Sequence, residues 1–321
     1  MNMKNVICLI LAGITLNYAC AQTALPEYEW KVTLKVVDEI GQPVAGAKTG
    51  VGYFTNSVGT STKGLTDTNG IFIVSHRAHS GILGFSAEKA GYYPTREPSY
   101  DLGFTYDSAR WNPTITLILK KIGQPIPMFA QNAQIQIPET GKPLGFDLVE
   151  FDWVAPYGKG KQADFIFQAE RRWVSRNDFD SAVKLTFSNK GDGLIPVSVP
   201  LNQGSELRLS AIAPSDGYVS ELSKHLSHTP ANGWIDDERD GNKEQNYYFR
   251  VRTVLDEQGN VKSALYGKIY DDLALDPINS KTIKIFFTYY LNPTPNSRNV
   301  EFDPKRNLIK NLKPLEGVEA P

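Results

Sequence analysis

The residues best equipped for chemistry in this sequence are carboxylates. Asp236-Asp237-Glu238-Arg239-Asp240-Gly241-Asn242-Lys243-Glu244 sets oxygens at the first, third, fifth and ninth positions of a calcium loop, with glycine at the sixth. Tyr247 stands at the twelfth position, where a bidentate carboxylate belongs. A complete EF-hand loop is therefore excluded, which leaves a looser calcium site through Asp236, Glu238, Asp240 and Glu244, or simply a solvated acidic loop. A second group, Asp147, Glu150, Asp152 and Asp164, gathers near Trp153, and two carboxyls facing a sugar are enough for glycoside hydrolysis. A chain with 35 acidic residues also supplies such groups by chance.

The other chemical signals are weaker. His76 and His79, like His225 and His228, are three apart, a spacing that shares a face only on a helix. The first pair follows a strand pattern into Ser80-Gly81, while the second lies in Ser220 to His228, the one stretch expected as a short helix. Neither pair has an HExxH motif or a cysteine beside it. No G-x-S-x-G occurs, so nucleophilic serine chemistry is not expected. Gly158-Lys159-Gly160-Lys161 lacks the spacing and the Ser/Thr of a phosphate loop. The best binding candidate is a hairpin of Tyr247 to Leu255 and Val261 to Tyr270. Its apolar face carries Phe249, Val251, Leu255, Val261, Leu265 and Ile269, and its other face Arg250, Arg252, Lys262, Tyr266, Lys268 and Tyr270. Together with Trp153, Tyr157 and Trp173, the face bearing Arg250, Arg252, Tyr266 and Tyr270 offers flat rings for sugars and guanidinium groups for anions. Solvated surface or packing between domains is the plainer reading of the same pattern.

The elements that must position these residues are β-strands. Met1 to Ala21 has one cation, Lys4, an apolar run from Val6 to Leu16 and a small-x-small Ala19-Cys20-Ala21, which predicts a signal peptide over 1–21. Export to the periplasm or the extracellular space follows. Lipid anchoring through Cys20 competes with this, but Asn17 and Tyr18 are not the residues that signal prefers. The apolar run is too short to span a bilayer, so no transmembrane segment is expected. Removing the leader takes Cys8 and leaves at most Cys20, hence no internal disulfide, and 33 basic against 35 acidic residues. That balance excludes the basic excess of a nucleic-acid binder.

From Trp30 to Lys121 short extended runs alternate with Gly, Asn, Asp and Pro turns. D-E-I-G-Q-P-V-A-G-A (38–47), T-D-T-N-G-I-F (66–72), A-E-K-A-G-Y-Y (87–93) and I-T-L-I-L-K-K (115–121) resemble the carboxypeptidase regulatory-like module. The resemblance implies a transthyretin-like β-sandwich over 25–121 with a stabilising or recognition role and no catalytic residue. An aromatic-rich insertion, Tyr93 to Asn112, interrupts it. Residues 122–127 read as a Pro-stiffened linker. Short strands from 128 to 312 predict a larger antiparallel sandwich, jelly-roll-like, and 313–321 a disordered tail. The ends of uncharacterised secreted bacterial proteins are similar to 288–304. The expected fold class is all-β, and the expected function is an exported non-enzymatic binding or scaffold protein of the bacterial envelope, with carbohydrate or an envelope protein as partner. A polysaccharide-active enzyme with paired carboxylates and a calcium-stabilised adhesin are the alternatives. No cofactor other than calcium is called for.

Overall fold

The computed structural model describes residues 27–55, 58–78, 81–103, 105–200, 204–235, 242–276 and 282–321. The expected leader, Cys20, His79, Asp236, Glu238 and Asp240 lie outside the described residues. No helix among the described residues is long and apolar enough to cross a membrane.

The fold is all-β and forms two sandwiches. In the first, β1 (Tyr28–Asp38) lies between β4 (Ile71–Ala78), antiparallel, and β7 (Thr114–Leu119), parallel. A second sheet runs β3 (Val58–Leu65), β2 (Lys48–Thr55), β5 (Ile82–Glu88), β6 (Thr95–Asp101). The sequence of β1 sets Val32, Leu34 and Val36 alternately with Lys31, Thr33 and Lys35, which predicts one buried and one outer face. The three apolar residues are fully buried against Val51, Phe85 and Leu117, while Lys31 and Lys35 face solvent. Asp38 Oδ1 accepts from the N–H groups of Ile40 and Gln42, and Asp67 Oδ1 accepts from those of Asn69 and Ile71, which fixes the two turns read from the sequence. The aromatic insertion is structural in part. Trp111, on the single turn α1 (Ser108–Trp111), is buried in this core, and Tyr106 stacks on Tyr28 at 5.0 Å.

The second sandwich pairs a five-stranded with a six-stranded sheet, all antiparallel. The first has the order β13 (Gly193–Ser198), β16 (Gln245–Leu255), β17 (Val261–Asp276), β18 (Lys284–Asn292), β8 (Phe129–Gln136). The other has the order β10 (Asp152–Trp153), β9 (Pro143–Asp147), β11 (Phe165–Ser175), β12 (Asp178–Thr186), β14 (Glu221–Thr229), β15 (Gly233–Ile235). Phe146, Phe165, Phe167, Phe249 and Phe287 fill the space between them. The outer face of the five-stranded sheet is covered in turn. Leu209 and Ala213 from one segment, with Val300, Phe302 and Val318 from another, pack on Tyr248, Tyr266, Tyr270 and Tyr290.

Three sequence expectations fail here. Ser220 to His228 is strand β14, not helix, because Leu222 and Leu226, four apart, share a face at either period. Glu206 to Ala213, one of the short strands expected between 128 and 312, makes one isolated bridge, Ile212 to Asn299, and serves as cover rather than strand. The tail 313–321 is not loose, since Asn132 Nδ2 donates to the carbonyls of Leu315 and Gly317, and the Tyr270 hydroxyl donates to that of Pro321. The linker is also pinned. Glu301 accepts from Gly123 N at 2.8 Å, Gln124 N at 2.7 Å and the Tyr93 hydroxyl at 2.7 Å, so one carboxylate ties the first sandwich to the cover of the second.

Candidate ligand-binding site

At the far end of the six-stranded sheet, four aromatic residues fall in one cross-strand row. Trp173 pairs with Phe179, Phe179 with His228, and His228 with Trp234. Register alone aligns them on one face, because directly opposed residues in an antiparallel ladder point the same way. Trp173 stacks on Phe179 at 5.7 Å and 25°, His228 stacks on Phe179 at 6.4 Å, and Trp234 meets the His228 ring edge-on at 5.0 Å. Phe179 is fully buried and acts as the floor, while Trp173 and Trp234 are each 38% exposed. The Arg171 guanidinium lies 4.6 Å from the Trp173 ring centre, a cation–π contact that leaves its charge beside the platform. His228 Nδ1 lies 2.8 Å from the Asn177 carbonyl oxygen, which fixes the ring against the β11–β12 turn. The result is a rigid platform with two indoles open to solvent and a cation at one side, suited to stacking on a ring-shaped ligand.

The other expected binding residues are not brought to it. Trp153 is core, packed on Phe146 and Phe167. Tyr157 is exposed and donates its hydroxyl to Glu139. Arg250, Tyr266 and Tyr270 do share the face read from the hairpin, but that face lies beneath the third layer. Arg250 donates to the carbonyls of Gly191 and Ser215, and its guanidinium lies 4.5 Å from the Tyr218 ring centre. Arg252 leaves the face altogether. A bulge between Val251 and Val254, with Arg252 at φ +56°, turns it towards β9, where its Nε donates to Asp164 Oδ1 at 2.7 Å and its Nη2 to Asp147 Oδ1 at 3.1 Å.

That contact disposes of the carboxylate cluster as a free acid pair. Asp147 and Asp164 do not face each other across a cleft, because both bind one guanidinium. Burial acts to raise the Asp147 pKa, but N–H groups of Lys161, Glu150, Val149 and Gln162 outweigh it and hold the carboxyl below its usual value. For Asp164 burial wins over Arg252 and the pKa is raised. Asp152 accepts from the N–H groups of Trp153 and Lys159, and Glu150 pairs with Lys161. In the Gly158–Lys161 loop the Lys159 and Lys161 N–H groups are thus spent on Asp152 and Asp147, and that of Gly160 on the Trp153 carbonyl.

Of the histidines, His225 lies 3.2 Å from Asp180 Oδ2, and on a strand it faces away from His228. His76 packs against Tyr53 at 4.8 Å. Glu244, the described member of the calcium call, is half-buried, and its N–H donates to Asn242 Oδ1. No group of three or more His, Cys, Asp or Glu able to hold a metal occurs among the described residues. Sequence reasoning named Trp173 and weighed His228 as a surface histidine or a metal ligand beside His225, but it did not name Trp234. The signal was the Pro230-Ala231-Asn232-Gly233 turn, in which Gly233 at φ +66° pairs with Thr229 across a three-residue loop and so sets Trp234 opposite His228.

No protein-family model and no curated protein matches the chain. Among solved structures it is similar to a mutant of the shaft pilin SpaA of Lactobacillus rhamnosus GG, at 10% identity over 71% of this chain and 89% of that one, with a TM-score of 0.26. It is also similar to a streptococcal ancillary pilin, at 13% identity over 88% and 63% of the two chains with a TM-score of 0.22. BcpA, the major pilin subunit of Bacillus cereus, gives 12% identity over 81% and 95% with a TM-score of 0.23. Likeness at this level carries nothing about activity.

Proposed function

We propose that this chain is an exported, non-catalytic binding protein of the bacterial envelope or extracellular space, and that it holds a carbohydrate on the Trp173–Trp234 platform. The observation that carries the reading is the cross-strand row itself, which keeps two indoles partly in solvent on a buried aromatic floor. Exposing such rings costs burial that the core would otherwise gain, and a stacked ligand restores it. The occupied state of Asp147 and Asp164 favours binding over hydrolysis by that pair. The two-sheet sandwich built by β1 to β7, with the motifs at 38–47, 66–72, 87–93 and 115–121, supports reading the first sandwich as a carboxypeptidase regulatory-like module over 25–121, joined by 122–127 to a second domain.

A glycan array followed by calorimetry on the best hit tests this. Trp173→Ala and Trp234→Ala should each weaken binding at least about tenfold, or roughly 1.4 kcal/mol, with the far-ultraviolet circular dichroism unchanged. An array on which the wild type retains no glycan overturns the reading, as does binding that survives both substitutions.

A further inference from the structure

The four-stranded sheet of the first sandwich has a second face, turned away from the core. Val51, Tyr53, Leu83, Phe85 and Ala87 point inward, which leaves Gly50, Gly52, Gly84 and Ser86 outward on the two central strands. Gly50 pairs with Lys63 on one side and Ser86 on the other, and Ser86 pairs with Arg96. One row therefore runs Lys63, Gly50, Ser86, Arg96. Strands about 4.8 Å apart set the two cationic residues about 14 Å apart at the backbone, across a floor with nothing taller than a serine hydroxyl. A hollow of ≈ 430 Å³ sits over this row, and a further hollow of ≈ 340 Å³ lies over Gly52 and Gly84.

Charge decides what fits. Lys48 and Glu88, which also line the larger hollow, face each other at 3.8 Å and offset one another. Lys63 and Arg96 have no carboxylate partner among the described residues, so the hollow is left with two positive charges. The main-chain groups of β2 and β5 under the glycine floor are already spent, and among the described residues the sheet's open edge is the outer side of β3, beside the floor rather than on it. The central strands are paired on both sides, and beyond β6 Arg96 N donates to the Gly204 carbonyl while Thr95 bridges Ser205. A ligand lying on this face gains no main-chain ladder, which is how extended peptides draw affinity from a sheet. It must bind by flat contact with the glycine floor and by anionic groups reaching the two cations. We propose that this face binds an acidic polysaccharide, with Lys63 and Arg96 holding its anionic groups.

The site is distinct from the aromatic platform, and the test separates the two. The full chain is run by affinity electrophoresis at low ionic strength through polygalacturonate, dextran sulfate, neutral dextran and poly-L-glutamate. The wild type should be retarded by both acidic polysaccharides and not by neutral dextran, with the retardation falling as salt rises. The double variant Lys63→Gln/Arg96→Gln should lose at least tenfold in affinity. Gly52→Gln should weaken binding of a chain long enough to cover both hollows, without loss of fold, since a Cβ at Gly52 meets nothing nearer than 3.9 Å and its side chain enters the smaller hollow next to the row. Trp173→Ala should bind the polyanions as the wild type does. Failure of the wild type to bind either polyanion overturns the proposal, and so does undiminished binding by the double variant. Poly-L-glutamate bound as tightly as the polysaccharides would make the partner an acidic peptide and overturn it equally.

Discussion

Arg252 is the residue whose removal the structure makes most costly. It reaches Asp164 through two donors, Nε to Oδ1 at 2.7 Å and Nη2 to Oδ2 at 2.8 Å, and Asp147 through a third contact at 3.1 Å. Asp147 is 2% and Asp164 0% exposed, so Arg252→Ala strands two buried carboxylates on their backbone donors alone. Breaking a buried pair by removing one partner costs about 3–5 kcal/mol. Arg252 also holds φ +56°, which costs a non-glycine residue about 1 kcal/mol. Arg252→Gly loses the same charge contacts but relieves that strain, so it should be about 1 kcal/mol more stable than Arg252→Ala, the reverse of the usual order. The pH dependence has a definite sign. Burial already raises the Asp164 pKa against the pull of Arg252, and without the guanidinium it climbs further. A carboxyl raised in the folded state contributes stability below its unfolded pKa and loses it as pH rises through the folded one. The deficit of either variant should therefore be largest near neutral pH and shrink on acidification. Urea unfolding of wild type and both variants at about pH 7 and about pH 5 measures this. A deficit under about 1 kcal/mol at neutral pH would refute the reasoning, as would alanine outperforming glycine or a gap that widens with acid.

Lys268 is fully buried. Its Nζ donates to the Tyr270 hydroxyl at 3.0 Å and lies 4.5 and 4.7 Å from the Tyr270 and Tyr290 ring centres, and burial lowers its pKa well below the usual lysine value. Lys268→Met should stabilise the fold by about 1–3 kcal/mol, more at acidic than at alkaline pH, and calorimetry showing a lower Tm would reject this. Gly70 and Gly46 both have positive φ, but a Cβ at Gly70 would meet the Val36 carbonyl oxygen at 2.4 Å whereas one at Gly46 meets nothing within 4 Å. Gly70→Ala should cost upwards of about 2 kcal/mol and Gly46→Ala about 1, and equal losses in thermal melts would contradict the steric argument.

What could be read from the sequence was what local geometry decides. Period-two alternation located β1 and β7, and the Asp-Gly and Asn-Gly corners located the turns, because each depends on neighbours a few residues away. The hairpin of β16 and β17 was legible for the same reason. What lay on its polar face was not, since the cover comes from residues 207–213 and 300–318, and no local pattern announces a third layer. Arg250 and Tyr270 carry the residue types of a binding face and are instead partnered by backbone carbonyls and rings. The same limit applies to Arg252, which one bulge turns through the sheet. Trp173 was identifiable as an aromatic near a strand end, yet its value as a platform depends on Phe179, His228 and Trp234, which meet it only through strand register.

The covering segment from Asn299 onward is made by the ribosome after every strand it shields, and it carries the Glu301 carboxylate that fastens the first sandwich. A polypeptide cut short before that point keeps all its strands but loses Val300, Phe302 and Val318 from over Tyr248, Tyr266, Tyr270 and Tyr290, together with the Glu301 tie between the two halves. Such a fragment would be stickier and more open to proteases, so closure of the five-stranded sheet's outer face waits on a segment that follows every strand it shields.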